Sequence, residues 1–327
     1  MTTITFYGTR GSSAYDSLEN RVFGGNTACV LVRTRQNDVL LLDAGTGLLA
    51  AEKEILENRP RNLSLALSHA HHDHIEGIGI SALAYIPGME MKIIADKKIF
   101  KGLKQRYNQS NFPVPFCEER MKGIDFSLLE PEEKSKNPEC VVEQEKKIEQ
   151  GIGQGIELGV KLAEDMALQA LHIGSHPGGV LAYRIRIGEK VLVYATDHEF
   201  SYGTESYGPD ETAAMQNKNP RTIWLDDAMT ERYIPAVKHA DILIADAQFT
   251  AEEYASGKFH GWGHSYPEQI LGMAAEAGVK KVILTHHAPR RTDEQLFAME
   301  RSAQQCVQQQ GYQLTVGFAK QGESYEL

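Results

Sequence analysis

Cysteine is scarce in this 327-residue chain, and no two cysteines stand close together. Cys29, Cys117, Cys140 and Cys306 are widely spaced and form no CxxC pair. A disulfide-stapled scaffold and a zinc ribbon both depend on closely spaced cysteines, so the sequence indicates neither.

Long hydrophobic runs are also missing from the sequence. The amino-terminal stretch MTTITFYGTRGSS lacks both the basic start and the apolar centre of a secretion signal. No later stretch approaches the ~20 apolar residues that a membrane-spanning helix needs. We therefore expect a protein without a membrane segment and with a cytoplasmic location.

Positive charge is in deficit, because 34 Lys and Arg residues face 44 Asp and Glu residues, for a net charge of −10. Proteins that bind long nucleic acids usually do so through basic surfaces, since phosphate contacts dominate their affinity. The charge therefore argues against an extended nucleic acid as partner. A small anionic substrate remains compatible, because divalent cations in a pocket outweigh a diffuse negative surface locally.

Strand-like and helix-like patterns alternate along most of the chain without an internal repeat, which indicates the α/β class. Predicted strands, including one hairpin, fall at 38–45, 62–69, 179–197, 240–246 and 280–287. Predicted helices fall at 230–239, 267–277 and 292–309. With 42% hydrophobic residues the chain can bury a sizeable core, and we expect one domain over residues 1–327.

The stretch from about 100 to 165 departs from this pattern, because it is rich in charge and contains Pro113, Pro115, Pro131 and Pro138. We expect it to leave the core as an excursion. Such a segment could serve partly as a lid, or as the interface of a homodimer.

Histidine is crowded into residues 67–77, LSHAHHDHIEG, which hold four of the chain's twelve histidines. These are His69, His71, His72 and His74, with Asp73 among them. Neighbouring imidazoles repel one another when protonated, and their nitrogens cost free energy if they are buried unpaired. A divalent metal removes both problems by binding the nitrogens, so the run indicates a metal site.

Further polar residues stand where predicted strands end. His176 follows the apolar stretch 166–173, and Asp197, Asp246 and His286 each follow or end a strand. Loops at the carboxyl ends of strands can converge on a rigid sheet edge. We therefore expect these side chains to share one site with the histidine-rich run.

The motifs SHAHHDH, SHPGG, YATD and LTHHAP resemble, in order, the metal motifs of the metallo-β-lactamase superfamily, beginning with its HxHxDH signature. The stretches FYGTRGSS, FGGNTACV, LLDAGTGL, ADAQF and GWGHS are similar to its phosphodiesterase branch, which includes ribonuclease Z and bacterial cyclic-nucleotide phosphodiesterases. This resemblance covers essentially the whole chain. It implies an αββα sandwich, in which two mixed β-sheets are flanked by helices.

The resemblance also implies two divalent metal ions and their ligands. The implied ligands are His69, His71 and His176 for one ion, Asp73, His74 and His286 for the other, and Asp197 bridging both. Nitrogen and oxygen ligands suit zinc best, with Mn²⁺ or Fe²⁺ as alternatives, and leave room for a bridging hydroxide. His286 is preferred over its neighbour His287, and Asp73 is also counted as catalytic. Asp43 either supports a ligand by accepting its N–H or simply forms the turn before Gly45.

Asp246 and His264 are the implied proton-donating pair. Ribonuclease Z-like enzymes use a His-Glu-Ala-Thr motif and a Gly-His-Ser motif, and here Asp246 replaces the Glu while Ala245 replaces the His. An Asp that holds an imidazolium can protonate a departing alkoxide. The lost histidine, and the 20 residues between His176 and Asp197, which are too few for a tRNA-gripping arm, both favour a small substrate.

The leading hypothesis is a dinuclear metal phosphodiesterase that hydrolyses a small phosphodiester, with a cyclic nucleotide as first choice. A ribonuclease Z-like tRNA 3′ endonuclease is the main alternative, followed by a thioester or lactone hydrolase. A metal-dependent nucleotide sensor without turnover is the non-enzymatic alternative, although none of the implied ligands is missing. A redox diiron protein of this fold would carry Glu at the position of His71, which speaks against that class.

Overall fold

A computed structural model describes residues 1–126, 157–173, 176–200 and 227–327, and within them the chain forms two seven-stranded sheets. The strands of the first sheet are β1 (Thr3–Gly8), β2 (Cys29–Arg33), β3 (Val39–Leu42), β4 (Leu63–Ala66), β5 (Met91–Ile94), β6 (Ile124–Asp125) and β14 (Ser324–Glu326). Their order is β14-β1-β2-β3-β4-β5-β6. The pairs from β14 to β3 are antiparallel and those from β3 to β6 are parallel, so this sheet is mixed.

The second sheet follows the same plan. Its strands are β7 (Glu157–Lys161), β8 (Met166–Leu171), β9 (Ala182–Ile187), β10 (Lys190–Ala195), β11 (Ile242–Asp246), β12 (Lys281–Thr285) and β13 (Thr315–Phe318). Their order is β13-β12-β11-β10-β9-β8-β7. The pairs from β13 to β10 are parallel and those from β10 to β7 are antiparallel.

Helices connect the parallel strands. They are α1 (Leu48–Glu57), α2 (His72–Ile75), α3 (Lys97–Arg106), α4 (Asp227–Val237), α5 (Ala251–Ala255), α6 (Pro267–Glu276) and α7 (Asp293–Gln310), with a 3₁₀ turn at Ala82–Ala84. Local sequence explains several ends: the Asp96 side chain caps α3, and Thr292 and Gln295 form a capping box on α7. Gly311 ends α7 with a φ of 65°, a left-handed conformation that glycine adopts at little cost.

The alternation of side chains along the second sheet produces the layers. Ile242 and Ile244 of β11 pack with the core residues of the first sheet, whereas Leu243 and Ala245 pack with residues of helices α4, α6 and α7. Successive side chains of a strand point to opposite faces, so one strand contributes to both layers. Helix α1 packs against β1 and β2 and closes the other side of the first sheet.

The predicted αββα sandwich is therefore confirmed. The predicted strands appear within the expected stretches, although each is shorter, and the three predicted helices match α4, α6 and α7 to within a few residues. Residues 38–45, for example, form strand only over Val39–Leu42, because the chain turns at Asp43. The single-domain assignment stays a prediction.

The described ends of the stretch at 100–165 pack against the sheets, and the excursion itself stays a prediction. Leu103 and Tyr107 are buried in the core, β6 pairs with β5, and β7 pairs with β8. Apolar positions between the charges account for this, since they give α3 a buried face. Residues 127–156 lie outside the described part of the chain.

Candidate metal centre

Loops that follow strands of both sheets bring histidines and aspartates to one place. The run His69–His74 follows β4, His176 lies between β8 and β9, Asp197 follows β10, and His286 follows β12. We call these side chains the His/Asp cluster: His69, His71, Asp73, His74, His176, Asp197 and His286. All seven positions that the sequence nominates as ligands thus lie together.

His69, His71 and His176 form the first group of the His/Asp cluster. Their ring nitrogens lie within 4.8 Å of one another. His176 Nε2 is 2.9 Å from His71 Nδ1. The family resemblance implies the same three residues as ligands of one ion.

Asp73, His74 and His286 form the second group, again with ligand atoms within 4.8 Å of one another. His286 Nε2 lies 3.1 Å from Asp73 Oδ2 and 3.2 Å from His74 Nε2. The neighbouring His287 points elsewhere: its Nε2 donates to the carbonyl of Ala319 at 2.9 Å. The geometry thus favours His286 over His287.

Asp197 lies between the two groups. Its Oδ2 atom is 3.7 and 3.9 Å from the Nε2 atoms of His69 and His176 in the first group. The same oxygen is 3.4 and 3.2 Å from the Nε2 atoms of His74 and His286 in the second. One carboxylate can therefore reach both groups.

The backbone is turned sharply at three of the residues that build the site. Asp43, Asp197 and His286 have φ values of 59°, 57° and 60°, in the left-handed region that L-residues other than glycine rarely adopt. Each comes directly after a strand or one residue beyond it. Such strain, of order 1–3 kcal/mol per residue, persists where the surrounding structure over-determines it, and it is concentrated at functional sites.

Burial and charge set the protonation of the His/Asp cluster. Burial lowers the pKa of His69 well below its usual value and that of His176 to about 4, which leaves ring nitrogens free to bind a cation. Burial opposes ionisation of Asp73 and Asp197, but the imidazoles of His74 and His286 hold the pKa of both carboxyls well below the ordinary range. Metal binds neutral imidazoles and ionised carboxylates, so at His74, where burial is outweighed by Asp197, Asp73 and Asp43 and the pKa is raised, a cation would replace a proton.

The cluster fits divalent metal ions chemically. The buried Nε2 atom of His69 has no hydrogen-bond partner, although it faces Asp197. Buried unpaired nitrogens cost about 1–3 kcal/mol each, and a cation would satisfy them. Five imidazoles with two carboxylates suit Zn²⁺, and Mn²⁺ or Fe²⁺ are compatible with the same donors.

Asp43 accepts four hydrogen bonds beneath the second group. Its Oδ2 atom accepts from His74 Nδ1 at 2.7 Å, from Ser68 Oγ at 2.8 Å and from the Tyr194 hydroxyl at 2.7 Å. Its Oδ1 atom accepts from the Ser68 N–H at 2.7 Å. A proton on His74 Nδ1 leaves Nε2 as the free donor atom facing the cluster. These contacts favour the supporting role of Asp43 over that of a simple turn residue.

Asp246 and His264 lie at the edge of the His/Asp cluster. His264 Nδ1 is 3.3 Å from Asp246 Oδ2, and the ring centroids of His264 and His286 are 4.9 Å apart. Asp246 is fully buried, and its oxygens also accept the N–H groups of His198 and Ser265, each at 3.2 Å. Burial disfavours protonation of His264, but Asp246 and Asp197 outweigh it and raise the pKa of the ring.

The cluster opens into a pocket of about 330 Å³. The pocket is lined by Ser12, His71, His72, Asp73, His176, Asp197, His264 and His286. His72 contributes to the wall but contacts Glu76 and Arg106 outside the cluster, as expected for a residue omitted from the ligand set.

Sequence reasoning missed the contribution of the loop after β1. The Ser12 N–H donates to Asp73 Oδ2 at 2.6 Å. A Cβ atom at Gly11 would lie 2.1 Å from the His286 ring, so only glycine lets the backbone pass there. In the sequence, TRGS indicates only a family resemblance, because a backbone donor leaves little trace in composition.

A two-sheet sandwich with a histidine- and aspartate-rich centre at its strand ends defines a class of metal-dependent hydrolases. The sequence profile of the beta-lactamase superfamily domain matches residues 39–287 of this chain. The chain belongs to the metallo-β-lactamase superfamily of hydrolases.

Individual proteins agree with this placement. A ribonuclease Z from Enterococcus faecalis is 27% identical over 286 residues, which cover 83% of this chain and 83% of that protein. The metallo-beta-lactamase fold protein YhfI from Bacillus subtilis matches with a TM-score of 0.61 at 17% identity, over 100% of this chain and 99% of YhfI. The short form of human tRNase Z matches with a TM-score of 0.57 at 14% identity, over 99% and 98% of the two chains. Both structural matches show the fold.

The described helices bear on the expectation that the protein has no membrane segment. None of them combines the length and the apolar character needed to cross a bilayer.

Replacing Asp43 tests its support of His74. Asp43→Ala removes the acceptor of His74 Nδ1, so we expect metal affinity to fall by about 10–100-fold, the usual effect of losing such a partner. Competition with a chelator of known affinity measures this change. Tyr194→Phe is the matched control, because it removes one donor to Asp43 and leaves the His74 contact in place. Unchanged affinity in Asp43→Ala, or an equal loss in Tyr194→Phe, would contradict the assignment.

Proposed function

We propose that this protein is a metal-dependent phosphodiesterase that hydrolyses a small phosphodiester at the His/Asp cluster. The observation that carries the proposal is the Asp246–His264 pair, which lies beside the cluster and lines the same pocket through His264. A ribose alkoxide is a poor leaving group and needs a proton as its bond to phosphorus breaks. Thioester and lactone hydrolysis have no evident use for this pair.

The distances between ligand atoms divide the proposed ligands into two groups. His69, His71 and His176 hold one cation, Asp73, His74 and His286 hold a second, and Asp197 contributes to both. Divalent cations at such a site activate water and neutralise charge on a phosphoryl group. Zn²⁺ is the proposed metal.

The protein's own residues have distinct tasks in this proposal. Asp43 fixes the ring of His74, and the Ser12 N–H holds the carboxylate of Asp73 at the pocket wall. Asp246 favours the protonated form of His264, and His264 delivers its proton to the departing oxygen. Asp73, ionised and facing the pocket, is the group that we propose takes up the proton of the attacking water.

Two observations support a small substrate, with a 3′,5′-cyclic nucleotide as first choice. The net charge of −10 disfavours wide contact with a polyanion. The residues between His176 and Asp197 form only the β9–β10 hairpin and its flanking turns, which leaves no arm there to grip a tRNA.

A tRNA 3′ endonuclease is the second candidate, and two observations favour it. The Enterococcus relative that matches most of this chain is named ribonuclease Z. Helix α3 also carries five basic residues and no acidic one within Lys97–Arg106. This helix lies beside the pocket, because Arg106 contacts His72 at 3.3 Å and Lys98 Nζ would lie 3.9 Å from a Cβ atom at Gly179.

The salt dependence of turnover separates the two candidates. For a small diester, we expect kcat/KM to change only moderately with salt. A protein that grips 6–10 phosphates loses roughly 10³–10⁵ in affinity between 50 and 200 mM salt. Hydrolysis of 3′,5′-cyclic nucleotides and cleavage of precursor tRNA are therefore compared across that range. Efficient tRNA cleavage with a steep slope, weakened by Lys98→Gln and Lys101→Gln, would overturn the small-substrate proposal.

Substitution of His264 tests the proton donor. His264→Ala should slow hydrolysis of a 3′,5′-cyclic nucleotide by about 10²–10⁴-fold, the usual contribution of a general acid. Its effect on bis(p-nitrophenyl) phosphate should be far smaller, because a nitrophenolate leaves without a proton. Asp246→Ala should show the same selectivity. Equal losses on both substrates, with metal content unchanged, would remove His264 from the mechanism.

A further inference from the structure

Glu199 is a buried acidic residue that the mechanism above does not use. It is 1% exposed and accepts three hydrogen bonds. The Tyr254 hydroxyl and the Gly261 N–H donate to Oε1, each at 2.8 Å, and the Gly263 N–H donates to Oε2 at 2.7 Å. No Lys or Arg in the described part of the chain forms an ion pair with it. A carboxyl group is costly to bury, so the burial of Glu199 among these three donors needs an explanation.

Two of these partners belong to the loop that carries His264. Gly261 and Gly263 have φ values of 81° and 86°, which other residues rarely adopt. Glycine in such conformations gives a loop wide freedom unless its backbone is held. The carboxylate of Glu199 accepts the N–H groups of the residues on both sides of Trp262 and so holds the loop at two points.

The held backbone lies directly against the His/Asp cluster. The Gly263 carbonyl is 3.1 Å from His176 Nδ1, and a Cβ atom at Gly263 would lie 1.9 Å from the same nitrogen. Just beyond His264, the Ser265 N–H donates to Asp246. Glu199 and Asp246 thus act as two anchors of this loop: Glu199 binds the backbone N–H of the residue before His264, and Asp246 binds that of the residue after it.

We propose that Glu199 is a positioning residue that fixes the 261–265 loop, and with it the ring of His264, over the pocket. The two anchors come from neighbouring parallel strands, since Glu199 lies beyond the end of β10 and Asp246 ends β11. The role assigned to His264 rests on the proposed function. The geometric link from Glu199 to the loop does not.

Loss of Glu199 should affect substrates with a poor leaving group more than those with a good one. Misplacement of a catalytic group by about 1 Å can cost 10²-fold in rate. Glu199→Ala should therefore slow hydrolysis of a 3′,5′-cyclic nucleotide by about 10²-fold and affect bis(p-nitrophenyl) phosphate far less. Both rates are compared at saturating metal, because the Gly263 carbonyl of the same loop contacts His176 Nδ1 and its displacement would weaken metal binding. Glu199→Gln keeps an acceptor oxygen and should recover part of the loss.

A double-mutant cycle distinguishes positioning from a general structural role. If Glu199 acts through His264, adding Glu199→Ala to His264→Ala should cause no further loss, because interacting residues are not additive. Tyr254→Phe is the matched control, since it removes the hydroxyl donor to Glu199 and leaves both backbone contacts. Its rates should match those of the unmodified protein. A double variant markedly slower than His264→Ala, or equal losses on the two substrates, would overturn the proposal.

Two measurements on the metal-loaded protein need no substrate and separate this inference from the proposed function. Hydrogen exchange of the peptide spanning 259–266 should be faster in Glu199→Ala and unchanged in Tyr254→Phe. The NMR resonances of the His264 ring should shift in the first variant only. Unchanged exchange and resonances in Glu199→Ala would overturn the positioning role even if His264 proves to be the acid. Altered exchange and resonances, with no phosphodiester hydrolysed by the unmodified protein, would support positioning and reject the proposed function.

Discussion

The carboxylate of Asp197 lies in contact range of four imidazoles, two from each half of the His/Asp cluster. Such a carboxylate is expensive to bury, and it remains ionised because the surrounding rings hold its pKa down. The rings in turn come from loops of both sheets, so the arrangement exists only when the sandwich is assembled. Charge compensation at Asp197 is therefore the constraint on which the site depends.

Both sheets contribute to the support of this contact. Asp43, at the end of β3 in the first sheet, holds His74 and accepts from Tyr194 of β10 in the second sheet. The Tyr183 hydroxyl of β9 likewise donates to the carbonyl of Leu67, two residues before His69. Hydrogen bonds across the sandwich thus join the layers at the site. The left-handed turns at Asp43, Asp197 and His286 are held within this framework.

Much of the fold and the cluster was predictable because its signals are local. Apolar runs indicate strands, and the HxHxDH run places four potential ligands within six positions. The resemblance supplied the partners His176, Asp197 and His286, and the structure brings them to the same place. Asp246 and His264 are also adjacent, as expected. The packing of α3, β6 and β7 was missed, since their charges concealed buried positions such as Leu103.

Contacts between a side chain and a distant backbone group were beyond sequence reasoning. Glu199 holds Gly261 and Gly263, which lie 62 and 64 positions further along the chain. The Ser12 N–H reaches Asp73 across 61 positions. A backbone donor can belong to almost any residue type, so composition and spacing carry no record of it. Only the folded chain shows how loop geometry sets the position of side chains at the pocket.

Metal content tests the central claim most directly. Elemental analysis of the unmodified protein should find two equivalents of a divalent metal, and Asp197→Ala should bind markedly less because both groups lose a ligand. His72→Ala is the matched control, since it removes a histidine of the same run that lies outside the His/Asp cluster, and it should retain both equivalents. Two full equivalents in Asp197→Ala, or none in the unmodified protein, would contradict a two-metal centre built around Asp197.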